Sequence, residues 1–502
     1  MKWKFRLLVI VFVCVVLVLL LQGGLMYAWT VKTKIKELLI NGVLVSRNYS
    51  IKAPDFTTVQ AIFTQICLES FRQYYITEPV TQTKTRYAYF DPSFTLKRGM
   101  VYTWTQANST QKTCDNSLVL YGNRFAELHD VIMDTTYINQ PFSKGGQTFK
   151  EAIKSHLDKE SNWVIRPGFW TLRCNDTKGL DVNGVAVPFY KTLSLKPKQT
   201  NAMMSDSNAE EKCNVTVISN FTVAISRGDY WNLHQFMMHC LDTFLMMVLY
   251  SKIPGEVSLL LVDGHPELFI YDNTWRKVFG PVLRAGHFEH PVQFKRLIWG
   301  IKEGFSPIAQ YKEEKVHYLE EFRDFYLQQN GVSNVSNLDC RRIKITLIIR
   351  RNYISRIGDR HGNAERKIFN EGEVLAALKT LIPESIVSGR VMDSAPMEDQ
   401  LMWISETDIL VGVHGAGMTH TLFLPKHAGI FEIFPQNFKS TRPWYCVYEA
   451  VARWRSLSYI SWTNTNPQNE IEGGFIYIPV ESLIVSVKDL YRRICPKIKI
   501  LT

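Results

Sequence analysis

Apolar and polar positions along this 502-residue chain fall into an opening apolar run, a long mixed stretch, and a regular alternation that begins near Val217. Leu7 to Leu21 has no polar interruption, and Leu25 to Trp29 prolongs it past Gln22, Gly23 and Gly24. About 20 apolar residues cross a bilayer, so residues 7–29 predict a transmembrane helix. Tyr27 and Trp29 would lie at its far interface. A cleaved signal peptide is the competing reading, because Lys2, Lys4 and Arg6 precede the run and small residues follow it. No small-x-small site ends the run, which favours a retained signal-anchor. Residues 1–6 are then a cytoplasmic tail, and residues 30–55 a mostly polar stem.

The stretch from Phe56 to Val217 carries weaker patterns. Arg86–Phe90 and Val101–Trp104 are aromatic-rich and predict strands, while Leu195–Lys212 is polar and predicts a loop. Beyond Val217 the periods sharpen. Phe221–Ile225 predicts a strand, Trp231–Tyr250 a long buried helix, and Ser258–Asp263 a buried parallel strand. Asn273–Phe279 and Lys312–Gln328 predict helices, and Asn330–Asn337 a linker. Strands at Lys344–Ile349, Ile386–Met392, Ile409–Val413 and Ile430–Phe434 then alternate with helices at Gly372–Leu381, Met397–Glu406 and Met418–Leu424. Val485–Ile494 predicts a closing helix. Apolar strands alternating with helices imply a doubly wound parallel sheet. The expected architecture is α/β: two Rossmann-like domains, 56–335 and 336–480, with 481–502 closing the chain.

Composition changes this picture little. With 46% hydrophobic and 21% charged residues, a disordered chain or a small disulfide scaffold is excluded. The formal net charge is +11, but no Lys/Arg block stands out, so the charge suits an anionic small ligand at least as well as a polynucleotide. Sequons at Asn48, Asn108, Asn175, Asn214, Asn220 and Asn334 all follow the apolar run and place the bulk of the chain in the secretory lumen. Cys14 lies inside the run; the other eight cysteines are widely spaced without a C-x-x-C, which suits structural disulfides. No K-D-E-L signal is present, so the expected location is the Golgi membrane, single-pass type II, with the endoplasmic reticulum as the alternative.

The sharpest motif is Val411-Gly-Val-His-Gly-Ala-Gly-Met-Thr-His420, where a strand runs into small residues and then a helix. Ligands of open parallel sheets bind beyond the strands' carboxyl ends, and a helix N-terminus there attracts a diphosphate. Glycines at such a turn also serve close packing alone, but a packing turn needs no imidazole. Glu432, in the next strand, is a carboxylate among apolar residues, which calls for a partner: ribose hydroxyls or a basic side chain. Arg350 and Arg351 close a strand at the same end of the sheet, and Arg360 and Arg366 follow in a polar loop. In the N-terminal half, Asp263 and His265 follow a buried strand, and His239 and Asp242 lie three apart on the long helix. One of these carboxylates is a candidate general base, and a satisfied buried His–Asp pair is the alternative. D-x-D, H-E-x-x-H, G-x-S-x-G and P-loop motifs are absent, so a bound diphosphate would be neutralised by arginines and backbone.

At these residues, over roughly Asp229 to Asn464, the sequence resembles glycosyltransferase family 61. The resemblance rests on His414–His420 followed by Phe431-Glu-Ile-Phe-Pro435, on Leu347–Arg351, Arg360–Gly362 and Phe369–Val374. Val262–His265, Asn273–Trp275 and Ala395–Gln400 look most like the N-glycan core β-1,2-xylosyltransferases; relatives that modify EGF domains or O-mannose with N-acetylglucosamine share less beyond the glycine turn. The resemblance implies a GT-B fold, a UDP-sugar donor (UDP-xylose or UDP-N-acetylglucosamine) and inversion without an obligatory metal. Arg350, Arg351, Arg360, His414, Gly415, Ala416, Gly417 and Glu432 then line the donor site. Asp242 matches a family Asp, but Asn232, His234 and His239 stand out of the usual register before it, leaving the base open between Asp242 and the Asp263/His265 pair. The expected function is transfer from a UDP-sugar to a glycoprotein glycan. An O-linked N-acetylglucosaminyltransferase and a catalytically silent glycan-binding scaffold are the alternatives.

Overall fold

The computed structural model describes residues between 110 and 496; 140–163, 176–191 and 199–214 are the longest internal stretches left outside. The expected membrane helix 7–29, the stem 30–55 and the strands at Arg86–Phe90 and Val101–Trp104 lie outside the described residues. So do Asn48, Asn108, Asn214, Asn334, His265 and Arg360. Among the described residues, no helix is long and apolar enough to cross a membrane. The chain divides into units 1–83 and 84–502, and everything below belongs to the second.

In the C-terminal half, five parallel strands lie side by side in the order Ile386–Arg390, Lys344–Ile348, Ile409–Val413, Gly429–Phe434, Ser458–Thr463. The three central strands are runs of Ile, Leu, Val and Phe because helices cover both faces of the sheet. Helices Glu371–Leu381, Met397–Ser405 and Val480–Ile494 fall within a few residues of the sequence expectation. Counted along the chain, the strand order is 2-1-3-4-5. The order therefore reverses between Lys344–Ile348 and Ile409–Val413, where crossovers leave the sheet to opposite sides and open a crevice.

The N-terminal half is a nine-stranded mixed sheet. Val292–Trp299, Thr216–Ile225, Val257–Leu261 and Val282–Arg284 form its parallel portion. An antiparallel meander, Thr110–Thr113, Leu118–Tyr121 and Phe125–Met133, continues the sheet beyond Val292–Trp299. The loop expected from Leu195 begins instead as a strand: Leu193–Pro197 pairs in parallel with Trp170–Cys174. Leu193 and Leu195 alternate onto the core while Lys196 and Pro197 are exposed, a period of two too short to stand out in the sequence.

The long helix Leu233–Tyr250 begins at Asn232, whose side-chain oxygen accepts from the backbone N–H of His234 at 2.9 Å. Buried residues run around its whole circumference, as expected of a helix surrounded by protein. One hydrophobic core includes this helix together with Phe322, Phe423 and Val451, so the two sheets share packing across the expected 335/336 boundary. Two guanidinium groups bind carbonyls at the end of the short helix Ala416–Phe423. Arg323 donates to Leu424 O at 2.9 Å, and Arg455 donates to Thr421 O and Leu424 O at 2.9 Å each.

Cys114–Cys174 and Cys340–Cys495 are disulfides. The expectation of a complete set of pairs does not extend to Cys240 and Cys446, which lie outside both disulfides. Cys240 sits in the core of the long helix, where Trp275 Nε1 donates to its Sγ at 3.2 Å and burial raises its pKa. Asn175 and Asn220 are exposed, as sequons require.

Candidate active site

The switch-point crevice is flanked by the two motifs singled out in the sequence. Arg350 follows the first strand, and His414–Gly417 follows the third. Gly415 has extended backbone, φ 160°, so its lack of a side chain serves space: a Cβ there would collide with the Arg350 guanidinium. Arg350 Nε donates to Glu365 O at 3.0 Å, which holds the guanidinium over the turn, and burial lowers its pKa. The turn continues as a 3-10 helix, Ala416–Phe423, in place of the expected helix from Met418. Met418 N already donates to Gly415 O at 2.8 Å, while the N–H groups of Ala416 and Gly417 precede the first helical acceptor.

His414 is buried and fixed on every side. Its Nδ1 lies 2.6 Å from Glu432 Oε1, and Tyr459 donates to Glu432 Oε2 at 2.6 Å. A carboxylate only accepts, so Nδ1 carries a proton and the ring is oriented with Nε2 away from Glu432. Burial and Glu432 raise the Tyr459 pKa and keep that phenol a donor. Phe434, Phe438 and Tyr448 pack around the imidazole at centroid distances of 5.1, 4.7 and 5.3 Å. Glu432 is 0% exposed, and each oxygen has a protein donor. The expectation of ribose hydroxyls on Glu432 therefore gives way to a positioning role behind His414. The sequence did not single out Tyr459, Tyr448 or Phe438; their aromatic rings blend into a chain already rich in them.

More positive charge surrounds the turn. The Arg366 guanidinium lies 5.3 Å from the centre of the Phe438 ring, on a backbone with φ 63°. Left-handed φ in a long side chain is uncommon and concentrates at functional sites. Lys439 Nζ lies 4.5 Å from the Phe434 ring centre and donates to Ser461 Oγ at 3.0 Å. Arg351 points elsewhere and forms a two-pronged ion pair with Glu371. His234, in the first turn of the long helix, meets Tyr448 edge-on at 6.1 Å and brings the N-terminal half to the same crevice.

The candidate bases lie apart from this cluster. Asp242 and His239 are buried in the body of the long helix, 2% and 6% exposed. Asp242 is eight residues, about 12 Å, along the helix from His234. Asp263 is buried and bound by Arg227 through Nη2–Oδ1 at 2.6 Å and Nε–Oδ2 at 3.0 Å, so its carboxylate is neutralised.

Residues 233–431 match the family model Glycosyltransferase 61. The chain is 35% identical over 269 residues to an EGF domain-specific O-linked N-acetylglucosamine transferase of Rattus norvegicus, covering 50% of this chain and 46% of the relative. It is 24% identical over 269 residues to the β-1,2-xylosyltransferase RCN11 of Oryza sativa subsp. japonica, covering 47% and 48%. It is 23% identical over 310 residues to a β-1,2-xylosyltransferase of Arabidopsis thaliana, covering 53% and 54%. The chain thus spans about half the length of the curated relatives it matches. The matched segment contains both the long helix and the glycine turn.

Proposed function

We propose that this protein is an inverting, metal-independent glycosyltransferase of GT-B type. It would move a sugar from a UDP-sugar to a glycoprotein glycan, with β-1,2-xylosylation of the N-glycan core as the specific reaction. The observation that carries the reading is the switch-point crevice, where Arg350 lies on Gly415 beside a His414 oriented by Glu432. A diphosphate there would meet the amides of Ala416 and Gly417 and the charges of Arg350, Arg366 and Lys439, a role filled by divalent metals at other sites. Asp242 is kept as the proposed base on family resemblance, with His234 the imidazole that the long helix brings to the crevice. The two disulfides and the exposed Asn175 and Asn220 support a luminal catalytic region on a Golgi type II anchor.

The 35% identity to the rat transferase favours a second reading, O-linked N-acetylglucosamine transfer to protein. Incubating the purified protein with UDP-xylose and UDP-N-acetylglucosamine, N-glycan and EGF-domain acceptors, and EDTA separates the readings. One pentose gained on the glycan supports the first reading, and one N-acetylhexosamine gained on the peptide supports the second. UDP-sugar binding without transfer would leave a silent glycan-binding scaffold.

A further inference from the structure

A second polar site lies on the antiparallel meander, far from the glycine turn. The open face of this sheet forms a groove of about 560 Å³ lined by Lys112, Asn116, Tyr121, Glu127, His129 and Arg296, among others. Its floor is the carboxylate of Glu127, 3% exposed. Tyr121 and Tyr250 donate to Oε2 at 2.9 and 2.8 Å, while Arg296 Nε and His129 Nε2 meet Oε1 at 2.6 and 2.9 Å. Burial raises the Glu127 pKa, but these four donors outweigh it and hold the carboxyl at about 2. The carboxylate is thereby saturated, and it fixes the Arg296 and His129 side chains above it. Arg296 is clamped further by the Tyr250 ring, 4.5 Å from its guanidinium carbon.

Above this paired floor, Lys112 brings a further positive charge on the edge strand. Strand register sets Arg296 opposite His129, and Lys112 opposite Val119, which is itself opposite Glu127. The Arg296 and His129 side chains are 35% and 37% exposed. The rim is a strained hairpin: Cys114, Asp115 and Asn116 all have left-handed φ of 54–64°, held by the Cys114–Cys174 disulfide and by Asp115 accepting from Asn175 N at 3.0 Å. Strain of this kind persists where the surroundings enforce it, and it concentrates at ligand sites.

We propose that this groove binds an anionic saccharide, a sugar unit carrying a carboxylate or phosphate, as a subsite separate from the nucleotide crevice. Lys112, His129 and Arg296 face the anion, while the Tyr121 ring, Asn116 and Thr110 suit sugar faces and hydroxyls. The volume fits about two or three sugar units, and the lining mixes polar side chains with the Tyr121 ring and Val119, as a sugar's hydroxyls and apolar faces require. Tyr250, at the groove, and His234, at the crevice, lie at opposite ends of the long helix, about 27 Å for its 18 residues. As an acceptor subsite the groove rests on the sugar-transfer reading, whereas binding alone does not.

The test uses the full-length protein and calorimetric titration with a glucuronic acid disaccharide, mannose 6-phosphate and their uncharged counterparts. UDP binding is measured in parallel. The charged sugars are expected to bind, more weakly at high salt, and to lose about tenfold in affinity in Lys112→Ala and His129→Ala while UDP binding is unchanged. Lys112 lies on the exposed edge strand and makes none of the Glu127 contacts, so its variant leaves the floor intact. Equal binding of charged and uncharged sugars, or of wild type and Lys112→Ala, overturns the proposal, as does no binding at all. Failure of UDP binding would instead count against the donor site. Preference between the glucuronate and phosphate probes identifies the natural anion.

Discussion

Replacing Glu432 by Leu tests whether His414 is held by the carboxylate behind it. Leu is close in volume but accepts nothing, so the His414 Nδ1–H and the Tyr459 hydroxyl, each 2.6 Å from a Glu432 oxygen, both lose their acceptor. An unsatisfied buried donor costs about 1–3 kcal/mol. His414 is 4% exposed and bears a cost near the top of that range, whereas half-buried Tyr459 recovers part of its loss from water. The expected destabilisation is about 4 kcal/mol, read as a fall in urea midpoint at unchanged slope. Tyr459→Phe in the Leu background removes one orphan and should restore about 1 kcal/mol, a non-additivity that a double-mutant cycle measures directly. Glu432→Gln should fall between wild type and Leu, because its oxygen still accepts from His414 while Tyr459 turns its hydroxyl to accept from the amide. Transfer activity should follow the same order, with a loss of about 10–100-fold in kcat for Glu432→Leu, as for other residues that orient a functional imidazole. A Leu variant within about 0.5 kcal/mol of wild type, or additive with Tyr459→Phe, would refute the argument that Glu432 is spent on these two donors.

Gly415→Ala is expected to displace the Arg350 guanidinium and weaken UDP binding by about tenfold while barely moving Tm, because the residue's φ is open to alanine; calorimetric titration checks this. Burial lowers the His420 pKa from 6.5 to about 4, against the carbonyl of Gly417. The unfolded chain therefore binds more protons between those values, and stability is complete above pH 6.5 and falls by up to about 3 kcal/mol as pH drops to 4. Urea unfolding of wild type and His420→Gln between pH 7 and 4.5 should show that slope in wild type alone. A flat wild-type profile would mean that the imidazolium is retained between Gly417 O and Gln400 Oε1, which lie 2.7 and 3.0 Å from its two nitrogens. Removing the Cys340–Cys495 bridge, which closes a separation of 155 residues, should cost about 5 kcal/mol on the loop-entropy estimate, whereas Cys446→Ser should cost little in the same unfolding assay.

Where strands are buried on both faces, periodicity and local stops located them closely. Ile409–Val413 matches residue for residue, and Lys344–Ile348 and Gly429–Phe434 differ by one residue. At Leu193–Pro197 the side-chain period is a single Leu-Ser-Leu alternation packed on the core, too short to mark a strand in a polar stretch. The glycine turn was legible because a strand, three small residues and a histidine together have few other purposes. Its supporting residues were not. Tyr448 and Tyr459 are ordinary aromatic positions in sequence and reach His414 and Glu432 only through helix placement and strand pairing.

The chain's order of residues already sets the α/β class, the parallel character of the C-terminal sheet and the residues of the glycine turn at its switch point. Each follows from short-range facts: apolar runs of strand length, caps, and glycines where a helix begins. Tertiary structure decided how charge is distributed. Arg351, Asp263 and Glu432 read alike as candidate site residues, yet the first is paired with Glu371, the second with Arg227, and the third holds His414 from behind. Arg366 and Lys439 instead stand beside the turn. Whether a charged side chain faces a ligand or a neighbour depends on groups that only folding brings within a few ångströms. Coulomb and hydrogen-bond energies turn on those distances, and sequence spacing does not carry them.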